Sequence, residues 1–213
     1  MRGPPPRTVD WALFALVVTG AASGVAALLT GHPDGWWVVT SHAVAGFSLA
    51  AVLAFKLRRV APRLRPSRWD RRTGAGALAV ALVLAVLGTG VAWSLGAEFG
   101  VAGWTGLFVH MALGAVLVLP VLVHLVVRFR PPARTDLDRR VAVQYAGVAV
   151  LSVLALRAQR LVNAVLDTAG AARRFTGSRE RESLAGNAFP TTSWVADDPD
   201  PVDHDAWTLS VTG

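Results

Sequence analysis

The chain has no cysteine among its 213 residues, one tyrosine, one lysine (Lys56) and little charge of either sign, Asp, Glu, Lys and Arg together making up 16%. Without cysteine there is no disulfide and no thiolate to hold zinc or an iron–sulfur cluster, which leaves histidine as the main candidate metal ligand. A charged fraction well below the roughly one quarter of a soluble domain excludes that class. What fills the chain instead is apolar, with 53% of residues hydrophobic. Runs free of Asp, Glu, Lys and Arg cover 11–30, 35–55, 73–97 and 99–127, each near the about twenty residues with which a helix crosses hydrocarbon. A fifth run, 141–156, is shorter but continues helically through "RAQRLVNAVL", where Arg157 and Arg160 can snorkel to a headgroup layer. The expectation is an all-α integral membrane bundle of about five transmembrane helices over 11–170. A disordered proline-rich leader over 1–10 precedes it, and a largely irregular tail over 171–213 follows. The first run is too long and its flank too weakly basic for a cleaved signal peptide.

The net charge of +7 matters less than its placement. Eight basic residues lie between Lys56 and Arg72 and five more between Arg128 and Arg140, whereas the connections 31–34 and 98–103 hold no Lys or Arg. That bias fixes membrane orientation, with basic loops in the cytoplasm. It accounts for the arginines without nucleic acid as a partner. It also predicts a plasma-membrane protein with a cytoplasmic N-terminus, and a tail that emerges outside the cell membrane. Trp36, Trp37, Trp93 and Trp104 fall near the outer boundary, where amphipathic rings settle. In the tail only "WTLSVTG" alternates as a strand does, with Trp207, Leu209 and Val211 on one face and partners still to be found.

Of five histidines, His32 in an outer turn and His204 in the acidic tail read as solvated, whereas His42, His110 and His124 fall inside apolar runs. In hydrocarbon an imidazole must find a partner, which makes each of these a functional candidate. His42 lies six residues after Trp36 and His110 six after Trp104, so both sit about 9 Å inside the same boundary. Each is followed four residues later by glycine, Gly46 and Gly114, on the same helix face. Two level imidazoles with bare backbone beside them suit a flat porphyrin, whose iron takes axial histidines while the macrocycle packs closely on helices. The bland alternative is interhelical hydrogen bonding with glycines that tighten the packing. His124 shares a face with His110 at about 21 Å, a spacing that suits a second haem across the bilayer. The position fourteen residues after His42, however, is Lys56. His124 therefore stays open between a ligand, a quinone or proton contact and a packing residue. Lys56 stays open between a propionate or quinone contact and the first basic residue of the inner boundary. Pro120, between the two histidines of one span, is expected to kink it.

Together "TSHAVAG", "FVHMALG" and "VLVHLVVRF", followed by "RRFTGSRERESLAGNAFPTTSWVADDPDPVDHDAWTLSVTG", resemble the membrane-embedded b-type cytochrome modules joined to sulfite-oxidase-like molybdopterin oxidoreductases. The resemblance covers most of the chain. It implies electron transfer between the membrane and an outer molybdopterin domain or subunit, with at least one haem b as carrier. His42 and His110 match its haem-ligating histidines, and His124 matches a further intramembrane one. A molybdenum site of that family needs a cysteine ligand and a domain of its own. This cysteine-free chain is therefore expected to lack catalysis on substrate and to stop short of the molybdopterin domain. Arg174 and Asn187 in the resembling tail receive no cofactor role. Two rivals accompany this reading. One is a cofactor-free transmembrane anchor for the same outer domain. The other is a proton or ion transporter, for which Thr19, Ser48, Thr89 and Gln144 make a sparse polar pathway.

Overall fold

The computed structural model describes residues 3–29, 35–61, 71–97, 99–128, 133, 136, 138–171 and 205–211, with the backbone alone for 71–75 and 124–128. Five long helices dominate: α1 (Pro6–Leu29), α2 (Trp36–Val60), α3 (Arg71–Ser94), α4 (Gly106–Arg128) and α5 (Arg139–Val165). All five contain a stretch long and apolar enough to cross a membrane. The all-α bundle expected from the apolar runs is the architecture observed, and it fits a multi-pass membrane protein.

The helix ends follow local chemistry. α1 begins at Pro6, five residues before the expected span, so the second half of the leader, 6–10, is helical where disorder was expected. Proline suits a first helical position because its missing N–H would have no partner there. The early turn is also tied down. Thr8 donates its hydroxyl to the Pro5 carbonyl, Arg59 of α2 donates to the Pro4 carbonyl at 2.7 Å, and Lys56 pairs with Asp10. At α5, Asp138 caps the N-terminus by accepting from the Val141 amide at 2.8 Å.

The fourth apolar run is not helical throughout. Its first residues form a short antiparallel hairpin, β1 (Gly100–Val101) with β2 (Trp104–Thr105), and α4 starts only at Gly106. The two turn residues, Ala102 (φ 52°) and Gly103 (φ 82°), are both left-handed, the conformation that lets a two-residue hairpin follow strand twist. α4 then continues as helix through Pro120. The alternating segment near the C-terminus forms no strand over its described residues, 207–211. Trp207, Leu209 and Val211 are exposed, and no strand pairs with them among the described residues.

Packing runs from α1 to α2, α3 to α4, α2 to α5 and α1 to α4. Four helices meet in one apolar cluster of Val17, Leu49, Leu53, Val83 and Leu117. A second cluster, Val9, Val52 and Val148, joins α1 and α2 to α5. Large apolar side chains face outward as well, Val143, Val150, Leu151, Leu154 and Leu161 on α5 among them. Hydrocarbon solvates such a surface, so helix association rests on close packing and interhelical hydrogen bonds instead of on exclusion from water. The Ser48 hydroxyl, for instance, donates to Ser152 at 2.9 Å across α2 and α5, and Ser152 donates to the Val148 carbonyl.

The bundle repeats itself internally. "SGVA" at 23–26 on α1 recurs as "TGVA" at 89–92 on α3, 66 positions later. Gly35-Trp36, His42 and Gly46 recur as Gly103-Trp104, His110 and Gly114, 68 positions later. The central cluster obeys the same correspondence, Val17 with Val83 and Leu49 with Leu117. The hairpins α1–α2 and α3–α4 are two copies of one unit packed against each other.

Candidate functional site

Each histidine is held by the first helix of its own hairpin. On α1, the Gly20 carbonyl lies 3.0 Å from His42 Nδ1 and the Ser23 hydroxyl 3.1 Å from it. On α3, the Val86 carbonyl lies 3.0 Å from His110 Nδ1 and the Thr89 hydroxyl 3.1 Å. A carbonyl only accepts, so Nδ1 carries the hydrogen in both rings and the lone pair sits on Nε2. That is the form in which imidazole ligates a metal, with its other nitrogen donating to a backbone carbonyl.

Glycine makes the approach possible. A Cβ at Gly24 would come within 3.3 Å of His42 Cε1, and one at Gly90 within 2.9 Å of His110 Cε1. The clamp on each helix is thus a carbonyl at one position, a hydroxyl three residues on and a glycine four residues on, all on one helix face.

The two clamped rings meet. Their centroids are 6.0 Å apart and their planes lie at 85° to each other, so the depth matching inferred from Trp36 and Trp104 brings His42 and His110 together. Two imidazoles bound on opposite sides of one metal, at about 2 Å per bond and with each nitrogen about 1.1 Å from its ring centre, have centroids about 6.2 Å apart. The observed separation is close to that value. Among the described residues no group of three or more His, Cys, Asp or Glu could hold a metal ion, and two imidazoles alone do not complete a four-coordinate site. A macrocycle that supplies four nitrogens and leaves two axial positions for histidine, as haem does, would complete such a donor set.

The other expected positions fare differently. Gly46 and Gly114 are not the glycines against the rings. A Cβ at Gly46 would meet only Leu87 Cδ2, at 4.0 Å, and one at Gly114 nothing within 4 Å, so the helix face one turn below His110 is bare. His124 belongs to α4 by its backbone, while its side chain lies outside the described residues, as do His32, His204, Arg174 and Asn187. Lys56 is engaged by Asp10 and ties the basic ends of α1 and α2 together. Ser23, Gly24 and Gly90 escaped the reading of the sequence and Thr89 entered it only as part of a polar pathway, although the recurrence of Ser-Gly-Val-Ala as Thr-Gly-Val-Ala marks all four.

Above the pair, toward the helix ends that carry the tryptophans, Trp104 stacks on Phe108 with centroids 3.9 Å apart. Below it, seven residues deeper on each helix, lie Val17, Leu49, Val83 and Leu117. The centre is thus floored by apolar side chains and lies near one end of the bundle. Fold and site together define a multi-pass helical bundle with a paired-imidazole centre. Comparisons with protein-family models, with curated proteins and with solved structures find no match to the chain.

Proposed function

We propose that the bundle is a haem b electron-transfer module that passes electrons between the membrane and an extracytoplasmic molybdopterin oxidoreductase domain or subunit. One observation carries the proposal: two imidazoles from separate helices, 6.0 Å apart, each with Nδ1 against a backbone carbonyl. Haem bound there supplies a one-electron iron couple. The chain's own part is to present two Nε2 lone pairs, hold both rings against neighbouring helices, and keep water out with Val17, Leu49, Val83 and Leu117 beneath.

The outer partner follows from the resemblance of residues 173–213 to the entry of a molybdopterin domain, and the orientation from the basic loops. With the cytoplasmic side at the basic ends, the centre lies in the outer half of the bilayer, on the side of that partner. Quinone is the membrane-soluble donor or acceptor this placement calls for. The rival reading, a cofactor-free anchor, draws on the same hydrogen bonds as simple helix packing.

A pyridine haemochrome assay on the chain purified from haem-replete cells separates the two. At least one haem per chain is expected, lost on His42→Ala or on His110→Ala while each variant stays monodisperse in detergent. A folded, colourless wild type overturns the proposal and leaves the anchor.

A further inference from the structure

We propose that Ser23 and Thr89 are positioning residues that share the Nδ1 hydrogens of His42 and His110 with the backbone carbonyls and lower the reduction potential of iron held between the rings, an inference that rests on the haem reading above. Both hydroxyls have their hydrogens committed elsewhere. Ser23 Oγ donates to the Thr19 carbonyl at 2.6 Å, with the Gly20 carbonyl at 3.2 Å, and Thr89 Oγ1 donates to the carbonyls of Ala85 at 2.8 Å and Val86 at 3.0 Å. Each oxygen therefore turns only a lone pair toward the ring 3.1 Å away, and its own donated bond makes it a better acceptor. The Nδ1 hydrogen is shared between that hydroxyl and a carbonyl. In the opposite tautomer the Nδ1 lone pair would face the carbonyl oxygen, so one form is enforced.

Strong acceptance from Nδ1–H raises the electron density at Nε2 and with it the ligand basicity, which favours ferric over ferrous iron. A serine or threonine that bonds back within its own helix is neutral or slightly unfavourable for that helix, so helix formation does not account for the two residues. They recur at equivalent places in both halves of the repeat, three residues after the carbonyl and one before the glycine that touches the ring. The two clamps act on facing rings, so their effects on one iron share a sign.

The test is a spectroelectrochemical titration of the full haem-loaded chain, wild type against Ser23→Ala, Thr89→Val and the double variant. Haem content and the bis-histidine spectrum are expected to persist while the midpoint rises. The double variant is expected to move the ferric-to-ferrous equilibrium about tenfold, about 59 mV for one electron, and Ser23→Thr with Thr89→Ser to restore it. Haem-bearing variants at the wild-type potential overturn the proposal. Should the wild type carry no haem, or the variants lose it, 15N-histidine spectra of the same proteins decide. Nδ1 resonances that shift when the hydroxyls are removed support the clamp, and unchanged resonances overturn it. Absence of haem from the wild type alone refutes the functional reading, separately from the clamp.

Discussion

At the scale of single residues, the two glycines against the imidazoles are not equivalent, and the difference is measurable. A methyl group at position 90 would stand 2.9 Å from His110 Cε1, closer than carbon atoms pack, whereas at position 24 it would stand 3.3 Å from His42 Cε1. Gly90→Ala must displace its ring, and Gly24→Ala needs a shift of only a few tenths of an ångström. Overpacking of this kind costs about 1–3 kcal/mol. Gly90→Ala is therefore expected to lose more haem and more thermal stability than Gly24→Ala, as haem per chain and detergent melting curves will register. The histidines themselves were legible in the sequence because an imidazole in an apolar run has few explanations. Their glycine partners were not, because spacing along one helix reports only that helix. Gly46 and Gly114 share a face with the histidines, but the atoms that touch the rings come from α1 and α3. Lys56 shows the same limit, since its partner Asp10 is 46 residues away in sequence.

Whole elements were easier to read than their ends. Five apolar runs gave five helices because hydrocarbon thickness sets a length that the sequence must match. The ends depend on partners instead. α1 gains a turn through Arg59 and Lys56 of α2, and the run at 99–127 loses its start to a hairpin whose turn needs two left-handed residues. α5 is held to α3 by a polar contact that no periodicity predicts. Asn163, 4% exposed, and Gln159 both donate to the Ser94 carbonyl at 3.0 Å, and Asn163 Oδ1 accepts from Thr168 at 2.9 Å. Asn163→Ala would strip Thr168 of its acceptor and leave Ser94 with Gln159 alone. A loss of about 1–3 kcal/mol is expected in denaturant unfolding in detergent. Gln159→Ala should cost less, since Asn163 still satisfies the carbonyl and no buried acceptor is lost.

For the molecule as a whole, the repeat of α1–α2 in α3–α4 gives the site its form. Matched positions of the two hairpins put one histidine from each half against the other near the tryptophan end. Orientation then decides which side of the membrane the centre serves. The absence of cysteine makes that testable, because any introduced thiol is unique. Val101, 56% exposed in the hairpin beside Trp104, marks the tryptophan end, and exposed Ala61 after α2 marks the basic end. The excess of Lys and Arg between positions 56 and 72 predicts that the basic end faces the cytoplasm. A membrane-impermeant maleimide is expected to label Val101→Cys on intact cells and Ala61→Cys only after permeabilisation. The reverse pattern would put the imidazole pair in the cytoplasmic half of the bilayer, and a partner outside the cell could then no longer exchange electrons with it over the short distance the proposal requires.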